Sequence, residues 1–191
     1  EENKDQLAQL LFQTRNVTKL KIKNIKWEIL KAVLESNLEL KFDNLEKLDI
    51  SNNRIDGKMI QDINNLLFSR IPSLTSLNLK HNQIGDVGAR ALANSPHMVS
   101  LTSLNLGDNQ IRDAGATAIA ESEHMDRLTS LNLWGNQIGP ARATAIAEPE
   151  HMARLTSLNL DYNQIGDVGA RADKAEAAEA ATTSSFSNLP D

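Results

Sequence analysis

The string LTSLNL begins at Leu74, Leu101, Leu128 and Leu155, 27 residues apart each time. The copying extends further along each unit: LNLKHNQI (77–84), LNLGDNQI (104–111), LNLWGNQI (131–138) and LNLDYNQI (158–165). A looser copy, LEKLDISNNRI, starts at Leu45, and a degenerate one, VTKLKIKNI, starts at Val17. A unit this short cannot bury its own apolar face, so the core must form between stacked neighbours. The register of six units leaves a solenoid as the fold.

Each letter has a physical reading. In Ser76-Leu77-Asn78-Leu79 the period of two sends Leu77 and Leu79 to the core and Ser76 and Asn78 outward. Asn53, Asn82, Asn109, Asn136 and Asn163 come after each strand, where the chain turns and strands its backbone polar groups. Their amides suit that structural task better than ligand binding. The segment GDVGARALANS reads as a helix with Asp86 as its N-cap, and Asp113 and Asp167 recur in register. Strand, turn, helix and return in 27 residues predict parallel strands on a concave face with helices on the convex back.

The solenoid ends need covers. Leu7, Leu10, Leu11 and Phe12 at helical spacing predict a cap helix within 1–16, ahead of six repeats over 17–166. The stretches 27–36 (WEILKAVLES) and 58–68 (KMIQDINNLLF) read as the first two repeat helices. Residues 167–181, poor in large apolar side chains, predict a polar closing helix, and 182–191 a disordered tail.

The L-x-x-L-x-L-x-x-N-x-I/L pattern resembles the leucine-rich repeat, an α/β solenoid. The unit length and the NQIGDxGAxAIA segment resemble its ribonuclease-inhibitor class over residues 17–181. One unit departs: Gly139-Pro140-Ala141-Arg142 replaces the Gly-Asp-Val-Gly of 85–88 and 166–169, which puts the packing of that helix in question. The near-identical copies further resemble leucine-rich-repeat effectors that intracellular bacterial pathogens deliver into host cells. That resemblance implies a secreted protein acting in the host cytoplasm, or otherwise a cytoplasmic one. It implies a partner that is a host protein or another bacterial effector, an enzyme among the options. The tail AEAAEAATTSSFSNLPD is similar to translocation signals of such effectors.

Composition narrows the function. Twenty Lys+Arg against 25 Asp+Glu give −5, which argues against a general nucleic-acid binder. Without cysteine there are no disulfides, thiolate metal sites or cysteine nucleophiles. No apolar run reaches the ~18 residues of a membrane span. The sequence shows no nucleophile–base pair, phosphate loop or metal motif, so no catalytic residue, cofactor or metal is expected. A non-catalytic protein-binding module is the primary reading, monomeric alone and heterodimeric with its partner. An activator of a small GTPase, or a scaffold fragment of a larger enzyme, is the alternative that the repeat class implies.

Inside the copied block, two positions change every time: Ser51-Asn52, Lys80-His81, Gly107-Asp108, Trp134-Gly135 and Asp161-Tyr162. Drift after duplication should scatter over all exposed sites, yet Thr, Ser, Asn and Gln at the second, third, fifth and tenth positions stay fixed in four copies. Divergence confined to one pair points to contact with a partner. The predicted site therefore comprises Lys80, His81, Asp108, Trp134, Asp161 and Tyr162, bordered by the strand residues Asn105, Asn132 and Asn159. Trp134 and Tyr162 lie one repeat apart and are candidate hot spots.

At the other end, KLKIKNIK (19–26) places Lys19, Lys21 and Lys23 on one strand face with Lys47 beside them. This is either a basic subsite or a lysine-guarded edge strand. Residues 1–73 hold 12 basic and 11 acidic side chains and 74–191 hold 8 and 14, so the concave face runs from basic to acidic and aromatic. His97, His124 and His151 also repeat, each with Met next in the chain; core-plugging methionines explain them better than a metal ladder.

Overall fold

In a computed structural model, described for residues 2–13, 16–23, 26–37, 39–140, 143, 146 and 152–166, the period becomes a stack of parallel strands. Helix α1 (Glu2–Gln13) precedes β1 (Lys19–Lys21), α2 (Trp27–Ser36), β2 (Lys47–Asp49), α3 (Gly57–Leu66) and β3 (Ser76–Asn78). Then come α4 (Gly85–Ala93), β4 (Ser103–Asn105), α5 (Asp113–Ala120), β5 (Ser130–Asn132) and β6 (Ser157–Asn159). The strands pair in chain order, all parallel, as one six-stranded sheet. The fold is the α/β leucine-rich-repeat solenoid. The side chains of Phe12, Arg142 and His151, the closing helix expected over 167–181 and the tail 182–191 lie outside the described residues.

Register puts like on like. Leu48, Leu77, Leu104 and Leu131 stack at 1% exposure, and the leucine or isoleucine two positions later (Ile50, Leu79, Leu106, Leu133, Leu160) forms a second buried column. At the ends of the sheet, Leu20 and Leu158 are only partly buried; among the described residues each is paired with a strand on one side. Met98, Met125 and Met152 are buried in the helix-to-strand returns, so the methionines do plug the core. Leu10, expected on the inner face of α1, is exposed, while Leu11 is buried.

The turn asparagines tie the coils together. Asn136 donates through Nδ2 to the carbonyls of Leu133 (2.8 Å) in its own coil and Leu106 (3.0 Å) in the preceding one. Its Oδ1 accepts from the amides of Asn109 (3.1 Å) and Ile111 (2.9 Å). Asn82 repeats the arrangement with Leu79, Ile50, Asn53 and Ile55. Each amide thus satisfies backbone groups that the turn buries, at roughly 1 kcal/mol per bond and more if a partner is left orphaned.

The threonines are not idle either. Thr102, Thr129 and Thr156 each donate through Oγ1 (3.1 Å) to the carbonyl of the threonine one coil back. Their constancy has a structural cause, and the strand asparagines have another, since they hold the backbone of the rim. Fixed letters in this repeat are therefore weaker evidence of mere copying than the sequence alone suggests.

On the convex side the expected capping is corrected. Asp86 does not cap its own helix: α4 has Ile84 at its N-cap and no side-chain cap bond. Asp86 Oδ1 instead accepts from the amides of Arg112 (2.8 Å) and Gly115 (2.9 Å), capping α5 of the next coil, and Asp113 Oδ1 accepts from Gly139 N (2.7 Å) in the coil after that. The order of two letters decides this. In Asp56-Gly57 the aspartate caps its own helix through Met59 N (2.8 Å), whereas in Gly85-Asp86 the carboxylate lies one residue further on and meets the neighbour. Close helix approach requires small residues here: a Cβ on Gly57 would sit 2.8 Å from Gly88 N and from Ile84 O.

We expect Asn136→Ala to lower the unfolding free energy by about 3 kcal/mol, because the amides of Asn109 and Ile111 lose their partner and the carbonyls of Leu106 and Leu133 each lose one of two donors. Ser130→Ala, on the same coil but outside the ladder, should stay within about 0.5 kcal/mol. Urea unfolding of the two variants checks the difference.

Candidate functional site

The two changing positions form two adjacent columns just past the strands. In the first stand Ser51, Lys80, Gly107, Trp134 and Asp161. The strand residue two places earlier holds each of them: Asn78, Asn105, Asn132 and Asn159 accept through Oδ1 from the amides of Lys80 (3.1 Å), Gly107 (3.0 Å), Trp134 (2.9 Å) and Asp161 (3.0 Å). Asp49 does the same for Ser51 (3.0 Å). Asn105, Asn132 and Asn159, read from the sequence as bordering residues, thus orient the backbone that carries the two columns.

The second column has a property that the letters alone did not disclose. Asn52, His81, Asp108, Gly135 and Tyr162 all sit in the left-handed region, with φ of 58, 55, 59, 67 and 59°. Glycine adopts this region freely and Asn, Asp and His tolerate it, whereas a bulky residue there is strained. Four of the five occupants are tolerant types. A signal was nonetheless present: N, H, D and G are what a left-handed turn selects. Tyr162 is the exception, held there at a cost of order 1 kcal/mol or more while its side chain stays 80% exposed.

The side chains of the two columns lean on one another. The Trp134 and Tyr162 rings lie 5.2 Å apart between centroids, tilted by 59°. Lys80 Nζ sits 4.8 Å from the centroid of the Trp134 ring, and the His81 ring meets Trp134 edge-on at 6.4 Å. His81 Nδ1 and Asp108 Oδ2 are 2.7 Å apart. Lys80 and Trp134 belong to coils two apart, and the coil between them contributes Gly107, which has no side chain to block the contact. Gly135 leaves the equivalent position beside Tyr162 clear.

The variable positions are not all free of packing duty. Trp134 is half-buried against its neighbours on the rim, while Tyr162 projects into solvent. Neither ring enters the core or turns to the helical back. The result is a braced aromatic pair flanked by a cation, a histidine–aspartate pair and the exposed Asp161.

At the basic end, Lys19 and Lys47 are exposed neighbours in register. Lys21, grouped with them from the sequence, is paired with Asp49 at 2.6 Å, which removes it from an uncompensated basic subsite. Burial would raise the Asp49 carboxyl, but the hydrogen bonds from Lys21 and Ser51 outweigh it and hold the group below the usual carboxylate range. His97 and His124 are half-buried, and their backbone amides are held by Ser95 Oγ and Ser122 Oγ (3.2 Å each). Among the described residues, no three His, Cys, Asp or Glu side chains gather in a metal-binding cluster. No described helix is long and apolar enough to cross a membrane.

Residues 70–93, 97–120 and 151–172 match the family described as Leucine Rich repeat, and 44–66 match a second family of the same description. The comparison with curated proteins found no match. Among solved structures, the chain is similar to the tropomodulin C-terminal domain of Caenorhabditis elegans, with 14% identity and a TM-score of 0.54 over 92% of this chain and 98% of that one. It is also similar to leiomodin-1 actin-binding site 2 (16% identity, TM-score 0.44, 96% of this chain and 97% of that one). A third likeness is to an internalin of Listeria monocytogenes (19% identity, TM-score 0.42, 80% of this chain and 50% of that one). At 14% identity the likeness to the tropomodulin domain is one of fold.

A carboxyl held low stabilises the fold above the ordinary carboxylate range and loses that contribution as pH falls through its own titration point. Lys21→Met should therefore move the Asp49 titration upward and weaken the fold above that range. An NMR-detected pH titration of the Asp49 side chain reads the shift directly.

Proposed function

We propose that this leucine-rich-repeat solenoid is a non-catalytic protein-binding module that seats one partner protein on its concave rim. The observation that carries the proposal is Tyr162. A bulky residue is kept in a strained left-handed turn, 80% exposed, with its ring set against Trp134. At the same place in other coils stand Asn and Asp, which the left-handed turn accepts without that strain. Exposed tyrosine and tryptophan on a rigid platform are what protein interfaces use as anchors, because a preordered pair loses little entropy on binding. The sheet supplies the rigidity and the basic end at Lys19 and Lys47 supplies polarity, so a partner docks in one direction.

The finer reading makes the partner a host protein or another bacterial effector, with inhibition as the outcome if that partner is an enzyme. It takes the chain as a secreted effector acting in the host cytoplasm and forming a one-to-one complex. Repeat length and the near-identity of successive copies support it, through the resemblance to effectors of that style.

The immobilised protein should retain one partner from host-cell extract, and Trp134→Ala combined with Tyr162→Ala should weaken that capture at least 100-fold, given ~2 kcal/mol or more per anchor. Ser130→Ala should leave it unchanged. Equal capture by the double variant would remove the site assignment. If the partner is an enzyme, stoichiometric loss of its activity on titration supports inhibition, and unchanged turnover contradicts it.

A further inference from the structure

The Trp134 ring already holds a cation. Lys80 Nζ lies 4.8 Å from its centroid, delivered from two coils away across the gap left by Gly107. The ring pair is therefore positioned to receive positive charge, as the negative face of an indole prefers. Its surroundings have the same sign preference. Asp161 immediately precedes Tyr162, is exposed, and has no ion pair with a cation among the described residues. Asp108, by contrast, is engaged by His81 at 2.7 Å. Residues 101–166 carry 8 acidic and 4 basic side chains, and none of those basic residues stands in either column of the rim. The cation on the Trp134 ring is thus Lys80, brought in from the β3 coil.

We propose that the partner reaches this patch with an arginine side chain, which displaces the Lys80 ammonium from the Trp134 ring and sets its guanidinium against Tyr162, Trp134 and the Asp161 carboxylate. This deepens the proposed binding function and rests on it. A guanidinium suits the place better than the resident ammonium. It is flat, stacks on aromatic rings, is more weakly hydrated and pairs with carboxylates through two parallel hydrogen bonds. Lys80 is a weak incumbent, since an exposed cation–π contact contributes ~0.5–1 kcal/mol.

Tyr162 is the only tyrosine in the chain, so its ring signals in NMR report on the patch without labelling substitutions. The probes are three capped tripeptides: Gly-Arg-Gly, the neutral isostere Gly-citrulline-Gly, and Gly-Glu-Gly. The arginine peptide should shift the Tyr162 ring signals saturably, and the citrulline peptide should bind at least tenfold more weakly. Lys80→Met should tighten the arginine peptide about two- to fivefold, the range to which the lost competitor contact converts. Asp161→Asn should weaken it several-fold. A saturable shift with the glutamate peptide, weakening by Lys80→Met, or no saturable shift with arginine would each overturn the proposal. If the Trp134, Tyr162 double variant loses its protein partner while the arginine peptide fails to bind, the binding function stands and this inference falls. If capture ignores the double variant, the binding function fails first.

Discussion

The stack depends on a run of buried asparagine side chains, each bonded to backbone both in its own coil and in a neighbour. Asn82, Asn109 and Asn136 are almost fully buried, and each uses its amide to satisfy carbonyls and amides that a sharp turn takes out of water. The leucine columns supply the apolar driving force, but apolar contact alone is non-directional and would tolerate a slip between coils. The asparagine contacts do not. They fix where each strand ends and where the next two residues begin, so every coil presents its variable pair at the same height on the rim.

The convex side uses the same logic with different chemistry. Asp86 caps the next helix, and Asp113 reaches the coil after that, so α5 and the turn at Gly139 each take a stabilising contact from the coil before. Such contacts make the coils mutually dependent, as nearest-neighbour coupling in a repeat array requires. The bulk of the early coils, with Trp27, Phe42 and Phe68 buried, gives way to Ala89, Ala93, Ala116 and Ala120 in the later helices. The arginine at position 70 adds a separate lock: its guanidinium donates to the carbonyls of Leu34 (2.9 Å) and Asn37 (2.8 Å) at the end of α2, and burial there lowers its pKa from the usual arginine value.

The solenoid, its strand register and the task of the turn asparagines were legible in the letters, because identical residues at a fixed period can do only a few things when stacked. The aromatic pair was legible for the same reason: Trp134 and Tyr162 differ by one period and one position. What escaped was anything that depends on backbone conformation or on which coil a side chain reaches. Asp86 capping α5 instead of α4 turns on a one-residue offset. Lys21 pairing with Asp49 needs the register of β1 against β2. The left-handed second column needs φ values, although its run of Asn, His, Asp and Gly foreshadowed it.

The proposed function then rests on one exception within the second column of the rim. Four coils place a residue that the left-handed turn accepts, and one places Tyr162. The direct check is the unfolding free energy of Tyr162→Asn, which installs the side chain that Asn52 already carries at the matching position. If the tyrosine is there for a partner, relief of backbone strain should offset the lost ring contact, and stability should change by less than about 0.5 kcal/mol. A loss of about 2 kcal/mol or more would show that the ring serves the fold, and the account of the rim as a binding surface would be contradicted.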